Sequence, residues 1–358
     1  MITWWRNYLP MHKASFNKYQ LVFKSPVLTS RGAMNVKNGY FLYIKDGSVT
    51  GTGECSYIEG LSMDDLDSYE DTLRLLCRYI ETGGGEPLPD LSKFPSIRFG
   101  WEAAQIDLQN GGRKILFQSD FTAGKASIPI NGLVWMGDKE FMHTQIRQKI
   151  DDGCRCIKLK VGAIDFDDEL ALLQFIRSKF LPDELELRLD ANGAFNTNEV
   201  FEKLEVLSKF HIHSIEQPIK AGQLEWMKKV CTGSPIPVAL DEELINPGEI
   251  TKHGLLSFIK PQYIILKPSL MGGFEACHEW IAAADKNDVD WWATSALESN
   301  IGLNAIAQWA FVQENKMVQG LGTGSLYTNN IASPLYVKAG QLYYDVNNAW
   351  GDTEDTIL

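Results

Sequence analysis

The chain of 358 residues is acidic, with a formal net charge of −12, and it is 44% hydrophobic and 22% charged. Such a composition is typical of a globular protein long enough for two domains. The negative charge argues against nucleic acid or an anionic membrane surface as a partner. No apolar run is long enough to span a membrane, and residues 1–16 lack a signal-peptide pattern, so we expect a cytoplasmic protein. The six cysteines form no CxxC pair, which favours reduced thiols.

The first part of the chain is predicted to combine strands and two helices. Residues 19–27 and 38–54 are strand-like runs separated by turn residues. Residues 63–81 have apolar residues at helical spacing, and residues 97–112 form a second helix that ends on its glycines. The segment 83–96 between them is rich in Gly and Pro. We therefore expect an α+β domain over residues 1–124.

From Ile128 onward, strand-like runs alternate with amphipathic helical runs. This alternation predicts a parallel sheet, and eight such strands predict closure into a modified TIM-type β/α barrel over residues 125–324. The tail, 325–358, has strand-like pieces and is expected to return to the N-terminal capping domain. The eight predicted strands are 128–135, 154–162, 185–193, 211–218, 236–243, 262–269, 289–296 and 317–324.

Five charged residues end consecutive predicted strands at intervals of 25 to 30 residues, namely Lys160, Asp190, Glu216, Asp241 and Lys267. The carboxyl ends of barrel strands meet at one mouth of the barrel, where active sites of this fold lie. Side chains alternate between the two faces of a strand, so Lys158 and Lys160 share one face of theirs. Charged groups on the inner face are costly unless they have partners at the open end of the barrel. The spacing therefore predicts a functional cluster.

The three carboxylates predict a metal site. Acids brought together from three neighbouring strands repel one another and raise each other's pKa values. A hard divalent cation with oxygen ligands removes this repulsion, and a sparse carboxylate set suits Mg²⁺, with Mn²⁺ as the alternative. We expect Asp190, Glu216 and Asp241 to be the ligands. The simpler interpretation is that each acid caps a helix or pairs with a nearby lysine.

The two lysines predict proton transfer. Lys160 is on the second predicted strand and Lys267 on the sixth, so they should lie on opposite sides of the acids. Lysine acts as a base only when its pKa falls well below about 10.4, and Lys158 together with a bound cation would favour the neutral amine of Lys160. The set suits abstraction of a proton α to a carboxylate. A single inward lysine would more often be an ion-pair partner.

These motifs resemble the enolase superfamily, in its muconate-lactonising subgroup, over essentially the whole chain. The resemblance implies a barrel with a capping domain built from the N-terminal region and the C-terminal tail. It also implies Mg²⁺, two catalytic lysines and three carboxylate ligands. The motifs that carry it are K-x-K at 158–160, D-A-N-G at 190–193, E-Q-P at 216–218, D-E at 241–242 and K-P-S at 267–269.

Within that subgroup, several stretches are similar to the o-succinylbenzoate synthase family. The similarity implies a lyase that dehydrates 2-succinyl-6-hydroxy-2,4-cyclohexadiene-1-carboxylate to 2-succinylbenzoate in menaquinone synthesis. N-acylamino acid racemisation or dipeptide epimerisation stays open, because these reactions share the first step, and a ligand-binding barrel without catalysis is a further alternative. Homo-oligomer formation is open too. The similar stretches are 53–62, 96–108, 188–192, 294–302 and the glycine-rich run near 320.

Several other residues are predicted to contact a small carboxylate substrate. Lys158 and Arg188 are on inner strand faces, and Asn192 follows the strand that ends at Asp190. Arg188 could instead form an ion pair that orients a ligand carboxylate, and Asn192 could cap its loop.

The predicted helix near residue 300 offers two further substrate contacts. Ser295 and Glu298 have the spacing of a capping box ahead of this helix, although Ser295 is also a candidate for substrate binding. Ser299 and the backbone N–H groups at the helix start could hold a substrate carboxylate. Arg31, in a turn of the N-terminal region, is either part of a cap over the site or a solvated side chain.

Overall fold

The computed structural model describes residues 12–29 and 32–353, so Arg31 lies outside the described residues. The N-terminal domain is an antiparallel sheet in the order β1-β2-β3, with two helices packed on it. Its core includes Leu73 and Leu76 from the predicted helical run 63–81. The elements are β1 (Lys13–Thr29), β2 (Gly32–Asp46), β3 (Val49–Ser56), α1 (Tyr69–Glu81) and α2 (Pro95–Gln109).

Helix α2 lies directly on the backbone of β3. A Cβ atom added to Gly53 would stand 1.8 Å from the carbonyl oxygen of Gly100, which is far inside van der Waals contact. Only glycine allows so close an approach of strand and helix. This close contact fixes the position of Gly53 in β3, and therefore that of the next residue, Glu54.

The central region is a β/α barrel built on seven parallel strands, in the order β11-β10-β9-β8-β7-β6-β5. Ile157 and Leu159 of β6 point to the surrounding helices and are fully buried, as the alternation predicted. The short strand β4 (Ile128–Pro129) precedes them and belongs to another sheet. The seven barrel strands are β5 (Gly132–Val134), β6 (Cys156–Lys160), β7 (Glu186–Asp190), β8 (Ser214–Glu216), β9 (Val238–Leu240), β10 (Tyr263–Leu266) and β11 (Asp290–Ala293).

Helices alternate with these strands and cover the outside of the ring. Within residues 12–29 and 32–353, no helix is both long and apolar enough to cross a membrane. The helices are α3 (Lys139–Asp151), α4 (Phe166–Arg177), α5 (Val200–Ser208), α6 (Leu224–Gly233), α7 (Glu242–Ile245), α8 (Lys252–Ile259), α9 (Pro268–Met271), α10 (Gly273–Asp285) and α11 (Asn300–Val312).

The eighth predicted strand is wrong as a strand, although its chain does close the ring. Gln319 and Gly320 form isolated parallel bridges to Ile130 on one side and Thr294 on the other. The segment is rich in glycine, which disfavours regular strand structure. A Cβ atom on Gly320 would lie 2.5 Å from Oγ1 of Thr294, so the close approach requires glycine here. We call this pair of bridges the closing joint.

The C-terminal segment contacts both domains. The backbone N–H of Lys24 in β1 donates to the carbonyl of Leu326 (2.9 Å), and Thr328 donates to Val22 (2.9 Å). Strands β12 (Leu335–Lys338) and β13 (Gln341–Tyr344) form a hairpin. Strand β13 pairs with β4, which precedes the first barrel strand, β5. The division into residues 1–124, 125–324 and 325–358 stays a prediction.

Candidate active site

The register of the parallel sheet brings the predicted charged residues together. Lys160, Asp190 and Glu216 are direct neighbours at the ends of β6, β7 and β8. Asp241 and Lys267 follow the next two strands, β9 and β10. Lys158, Lys160, Asp190 and Lys267 line a pocket at this end of the barrel, whereas Glu216 and Asp241 are buried and do not line it. All five residues therefore belong to one cluster.

Lys158 and Lys160 both bind carboxylates in this cluster. Nζ of Lys158 is 2.9 Å from Oε2 of Glu216 and 3.3 Å from Oδ2 of Asp190. Nζ of Lys160 donates to Oδ2 of Asp190 (2.8 Å) and to Oδ1 of Asn192 (2.5 Å). Asn192 in turn donates through Nδ2 to Oε1 of Glu242 (2.9 Å). These bonds fix the two lysines of the K-x-K motif against the acids.

Lys267 binds Asp241 across the site from Lys160. Its ammonium group donates to Oδ2 of Asp241, which is fully buried. The other oxygen of this carboxylate, Oδ1, is buried and has no hydrogen-bond partner. A buried carboxylate oxygen without a partner is costly, so Oδ1 is a ready ligand for a cation.

Burial and charge shift the pKa values of this cluster in opposite directions. Burial would lower the pKa of Lys158, but the charges of Glu216 and Asp190 outweigh burial and raise it. Burial would raise the pKa of Asp190, but Lys160 and Lys158 hold it well below its usual range. Burial and the charge of Asp190 raise the pKa of Glu216 to about 7. Burial and neighbouring acids also raise the pKa of Asp241, and a cation would relieve the repulsion among these acids.

The donor set fits a divalent metal in its chemistry. Asp190, Glu216 and Asp241 supply hard carboxylate oxygens, as Mg²⁺ requires, and Oδ1 of Asp241 lacks a partner. Across the part of the chain that the structure describes, no three His, Cys, Asp or Glu side chains already form a group that could hold a metal. The lysine ammonium groups bind these carboxylates instead. The three acids are thus candidate ligands whose lysine partners would have to give way.

The predicted substrate-binding residues lie at different depths. Asn192 and Ser295 line the pocket together with Lys158. Arg188 does not line it, because its Nε binds Glu186 (2.7 Å) and its guanidinium lies 4.1 Å from the centre of the Trp292 ring. Arg188 therefore supports the barrel interior beneath the cluster.

The capping box predicted at Ser295 is wrong, because α11 starts later. Its N-cap is Ser299, whose Oγ accepts from the N–H of Ile301 (3.1 Å). Ser295 instead donates to Oε2 of Glu298 (2.5 Å) within the preceding loop. Ser299 is fully buried and bound to Glu54, so it does not line the pocket.

Several pocket residues were not identified from the sequence. The ring of Trp135 lies 5.8 Å from Nζ of Lys160, a distance at which a cation and an aromatic ring attract. Asn131 and Thr294 line the pocket, and Oδ1 of Asn131 and Oγ1 of Thr294 are buried without a partner. Alternation along the first barrel strand would have placed Asn131 and Trp135 on its inner face. The N-terminal domain contributes Met34, Ile58, Glu59 and Leu61.

The fold and the charged cluster define a member of the enolase superfamily. Residues 142–352 match the family described as Enolase C-terminal domain-like, which covers more than half of the chain. Residues 11–108 match the family described as MenC, N-terminal domain. The chain therefore has the barrel and capping domain that the sequence predicted, and the predicted fold class is confirmed.

More particularly, the chain belongs to the o-succinylbenzoate synthase family. It is 45% identical to o-succinylbenzoate synthase from Desulfotalea psychrophila, over 92% of this chain and 98% of that protein. The crystal structure of MenC from the same organism matches with a TM-score of 0.84 and 41% identity, over 93% of this chain and all of that one. A dipeptide epimerase from Enterococcus faecalis, solved with Mg and a dipeptide, matches with a TM-score of 0.81 over 96% of this chain and 99% of that one. Its 18% identity supports the fold alone.

Proposed function

We propose that this protein is a lyase that dehydrates 2-succinyl-6-hydroxy-2,4-cyclohexadiene-1-carboxylate to 2-succinylbenzoate in menaquinone biosynthesis. The main support for this proposal is the 45% identity to an o-succinylbenzoate synthase over 92% of the chain. The cluster of lysines and carboxylates at the barrel mouth supports the same reaction. We also infer that the enzyme acts in the cytoplasm.

Lys160 is the proposed acid and base. Its neutral amine takes the proton from the ring carbon that bears the carboxylate, and the electron pair left behind delocalises into that carboxylate. The resulting ammonium then gives its proton to the departing hydroxyl on the neighbouring carbon, so the C–O bond breaks and water leaves. The new double bond makes the ring aromatic, and Lys160 returns to the neutral amine. One side chain can serve both steps because the proton and the hydroxyl leave from the same face.

Lys160 must shed a proton before it can accept one from the substrate. In the structure it donates to Asp190 and Asn192, as an ammonium does. These two hydrogen bonds must therefore open before the amine can face the substrate.

Lys267 is proposed to stay cationic opposite Lys160. The charges of Asp241 and Glu216 outweigh its burial and raise its pKa, so it keeps its proton at neutral pH. A fixed positive charge there stabilises the negative charge that develops on the substrate carboxylate. Mg²⁺ held by Asp190, Glu216 and Asp241 would supply Lewis-acid stabilisation of that same charge. Mn²⁺ offers the same chemistry.

We assign direct substrate contact to the residues that line the pocket. Asn192 and Ser295 offer amide and hydroxyl groups, and Lys158 offers a positive charge near the metal ligands. Arg188 and Ser299 are buried outside the pocket, and we assign them supporting roles. The substrate is thus a small carboxylate held between the charged cluster and the loop at 295–297.

A direct assay tests the proposed function. Purified protein is incubated with the hydroxycyclohexadiene substrate, with Mg²⁺ or with EDTA, and the product is followed by ultraviolet absorbance and mass spectrometry. We expect a product lighter by one water, formed only with the metal. Failure to form it with Mg²⁺ would overturn the proposal. Uptake of deuterium at Cα of an N-acylamino acid, without any dehydration activity, would favour racemisation instead.

A further inference from the structure

A carboxylate of the capping domain is bound to the start of a barrel helix. Glu54, within β3, is fully buried. Its Oε1 accepts from the N–H of Ser299 (2.8 Å), and its Oε2 accepts from the N–H of Gly302 (2.8 Å). The hydroxyl groups of Tyr19 and Ser299 donate to the same two oxygens. The two oxygens thus receive four hydrogen bonds, and three of them come from the N-terminus of α11.

The chain just before this helix is part of the pocket wall. Ser295 and Leu297 line the pocket. Leu297 has a φ of +66°, a conformation that a leucine seldom adopts. The hydroxyl of Tyr327 donates to the carbonyl of Leu297 (2.7 Å). Such a strained residue keeps its conformation only where its surroundings hold it, and Glu54 holds the far end of this segment.

A second buried charge of the capping domain lies near the same segment. Lys37 of β2 is 3% exposed and donates to Oγ of Ser56 and to the carbonyl of Tyr57. Burial lowers the pKa of Lys37, and the charges of Glu298 and Glu54 oppose that shift. Glu298 accepts hydrogen bonds from Ser269 and Ser295. The segment 295–299 is therefore held by Glu54 on the side of the capping domain and by Ser269 on the side of the barrel.

Stability alone does not account for this arrangement. A buried ionic network often stabilises a protein no better than apolar residues of similar size would. Its geometry, however, is specific, because four donors must meet two oxygens. The network therefore fixes where the segment lies.

We infer that Glu54 is a positioning residue for substrate binding. It holds the segment 295–299, so that Ser295 and the backbone near Leu297 meet the end of the substrate that lies away from the reacting lysines. The inference rests on the proposed function. It also means that the N-terminus of α11 is already occupied by a protein carboxylate, so a substrate carboxylate must find its partners elsewhere.

The test compares Glu54→Gln with Glu102→Gln. Glutamine leaves one acceptor oxygen at position 54, so two of the four donors would face an NH₂ group. Glu102 is a matched control, because it is also a buried capping-domain carboxylate at the start of a barrel helix. Its Oε2 accepts from the N–H of Phe274 (2.5 Å) in α10. Unlike the segment held by Glu54, the residues that Glu102 binds, Phe274 and Glu275, do not line the pocket.

For Glu54→Gln we expect KM to rise about tenfold while kcat falls by less than about threefold, because the affected contacts bind substrate without taking part in the chemistry. Glu102→Gln should keep both constants near those of the wild type. Hydrogen exchange read by mass spectrometry should be faster for the peptide 295–302 in Glu54→Gln only. This exchange measurement needs no turnover.

The outcomes separate this inference from the proposed function. An unchanged KM in Glu54→Gln, or an equal rise in both variants, would overturn the positioning role. Unchanged exchange over 295–302 in Glu54→Gln would overturn it as well. A wild-type protein without dehydratase activity would instead overturn the proposed function, and the exchange measurement would still decide whether Glu54 holds the segment.

Discussion

Replacement of Lys158 by methionine tests how the charged cluster is held together without metal. Lys158 is 4% exposed, and its ammonium binds Glu216 at 2.9 Å and Asp190 at 3.3 Å. Methionine keeps an unbranched apolar side chain of similar length but removes the charge. Asp190 keeps its bond to Lys160 in this variant, whereas Glu216 loses both hydrogen bonds that it accepts from Lys158. In the variant, the buried carboxylate of Glu216 is therefore repelled by Asp190 and Asp241 without the ammonium of Lys158 beside it.

The expected loss of stability follows from burial. Removal of one partner of a buried ion pair costs about 3–5 kcal/mol. The entropy of unfolding is about 2.1 cal/mol/K per residue near 60 °C. For 358 residues a loss of about 3 kcal/mol therefore lowers Tm by about 4 °C. Because Mg²⁺ would replace the missing positive charge, saturating Mg²⁺ should reduce this difference from the wild type.

Thermal unfolding in EDTA and in Mg²⁺, followed by calorimetry, measures both effects. Lys139→Met is the control, because Lys139 forms an exposed pair with Asp168 at 2.7 Å. An exposed pair contributes about 0–1 kcal/mol, so its loss should move Tm by no more than about 1 °C. If Lys158→Met has the same Tm in EDTA as Lys139→Met, Lys158 does not hold the cluster together. The same conclusion follows if Mg²⁺ leaves the Tm difference between Lys158→Met and the wild type unchanged.

Three further changes test the chemistry and the capping domain. Lys160→Ala should lower kcat about 10³-fold, since it removes the acid and base, while Lys139→Ala retains activity in the same assay; retained turnover in Lys160→Ala would exclude Lys160 from the mechanism. Asp190→Asn should weaken Mg²⁺ binding in calorimetric titrations, with activity only partly restored by excess metal, and unchanged affinity would remove Asp190 from the ligand set. Burial raises the pKa of Asp64 to about 7 from an ordinary 3.8, so its stabilising contribution is complete below about pH 4 and is lost as pH rises to 7. Asp64→Asn should therefore gain Tm relative to the wild type between pH 5 and pH 8, and a constant difference would refute this assignment.

The centre of the candidate site could be predicted because its residues belong to short sequence patterns. A charged residue at the end of a short apolar run can be recognised from the few residues around it. The register of a parallel sheet then places the ends of neighbouring strands side by side. Lys160, Asp190 and Glu216 stand side by side in the ladder for this reason. The ion pairs among them match the simpler interpretation of these acids, because buried charges must find partners.

Contacts between distant parts of the chain could not be predicted in this way. Glu54 and Ser299 are 245 positions apart, and no periodicity connects them. The same limit explains the misplaced capping box, because Ser295 fits the local pattern while its hydroxyl bonds within the loop. The depth of Arg188 depends on the stacking partner Trp292, which comes from a strand about 100 residues later.

The closing joint makes the last β/α unit of the barrel different from the others. Gln319 joins its neighbours through backbone bonds to Pro129 and Asn131, and Gly320 through bonds to Ala293 and Ser295. Beyond these bonds the chain no longer follows a ladder, and Gly322 and Thr323 line the pocket. Side chains at positions 322 and 323 can therefore alter the pocket wall without belonging to the strands that carry Lys160, Asp190 and Glu216. Ligand preference can therefore change at these two positions independently of the charged cluster.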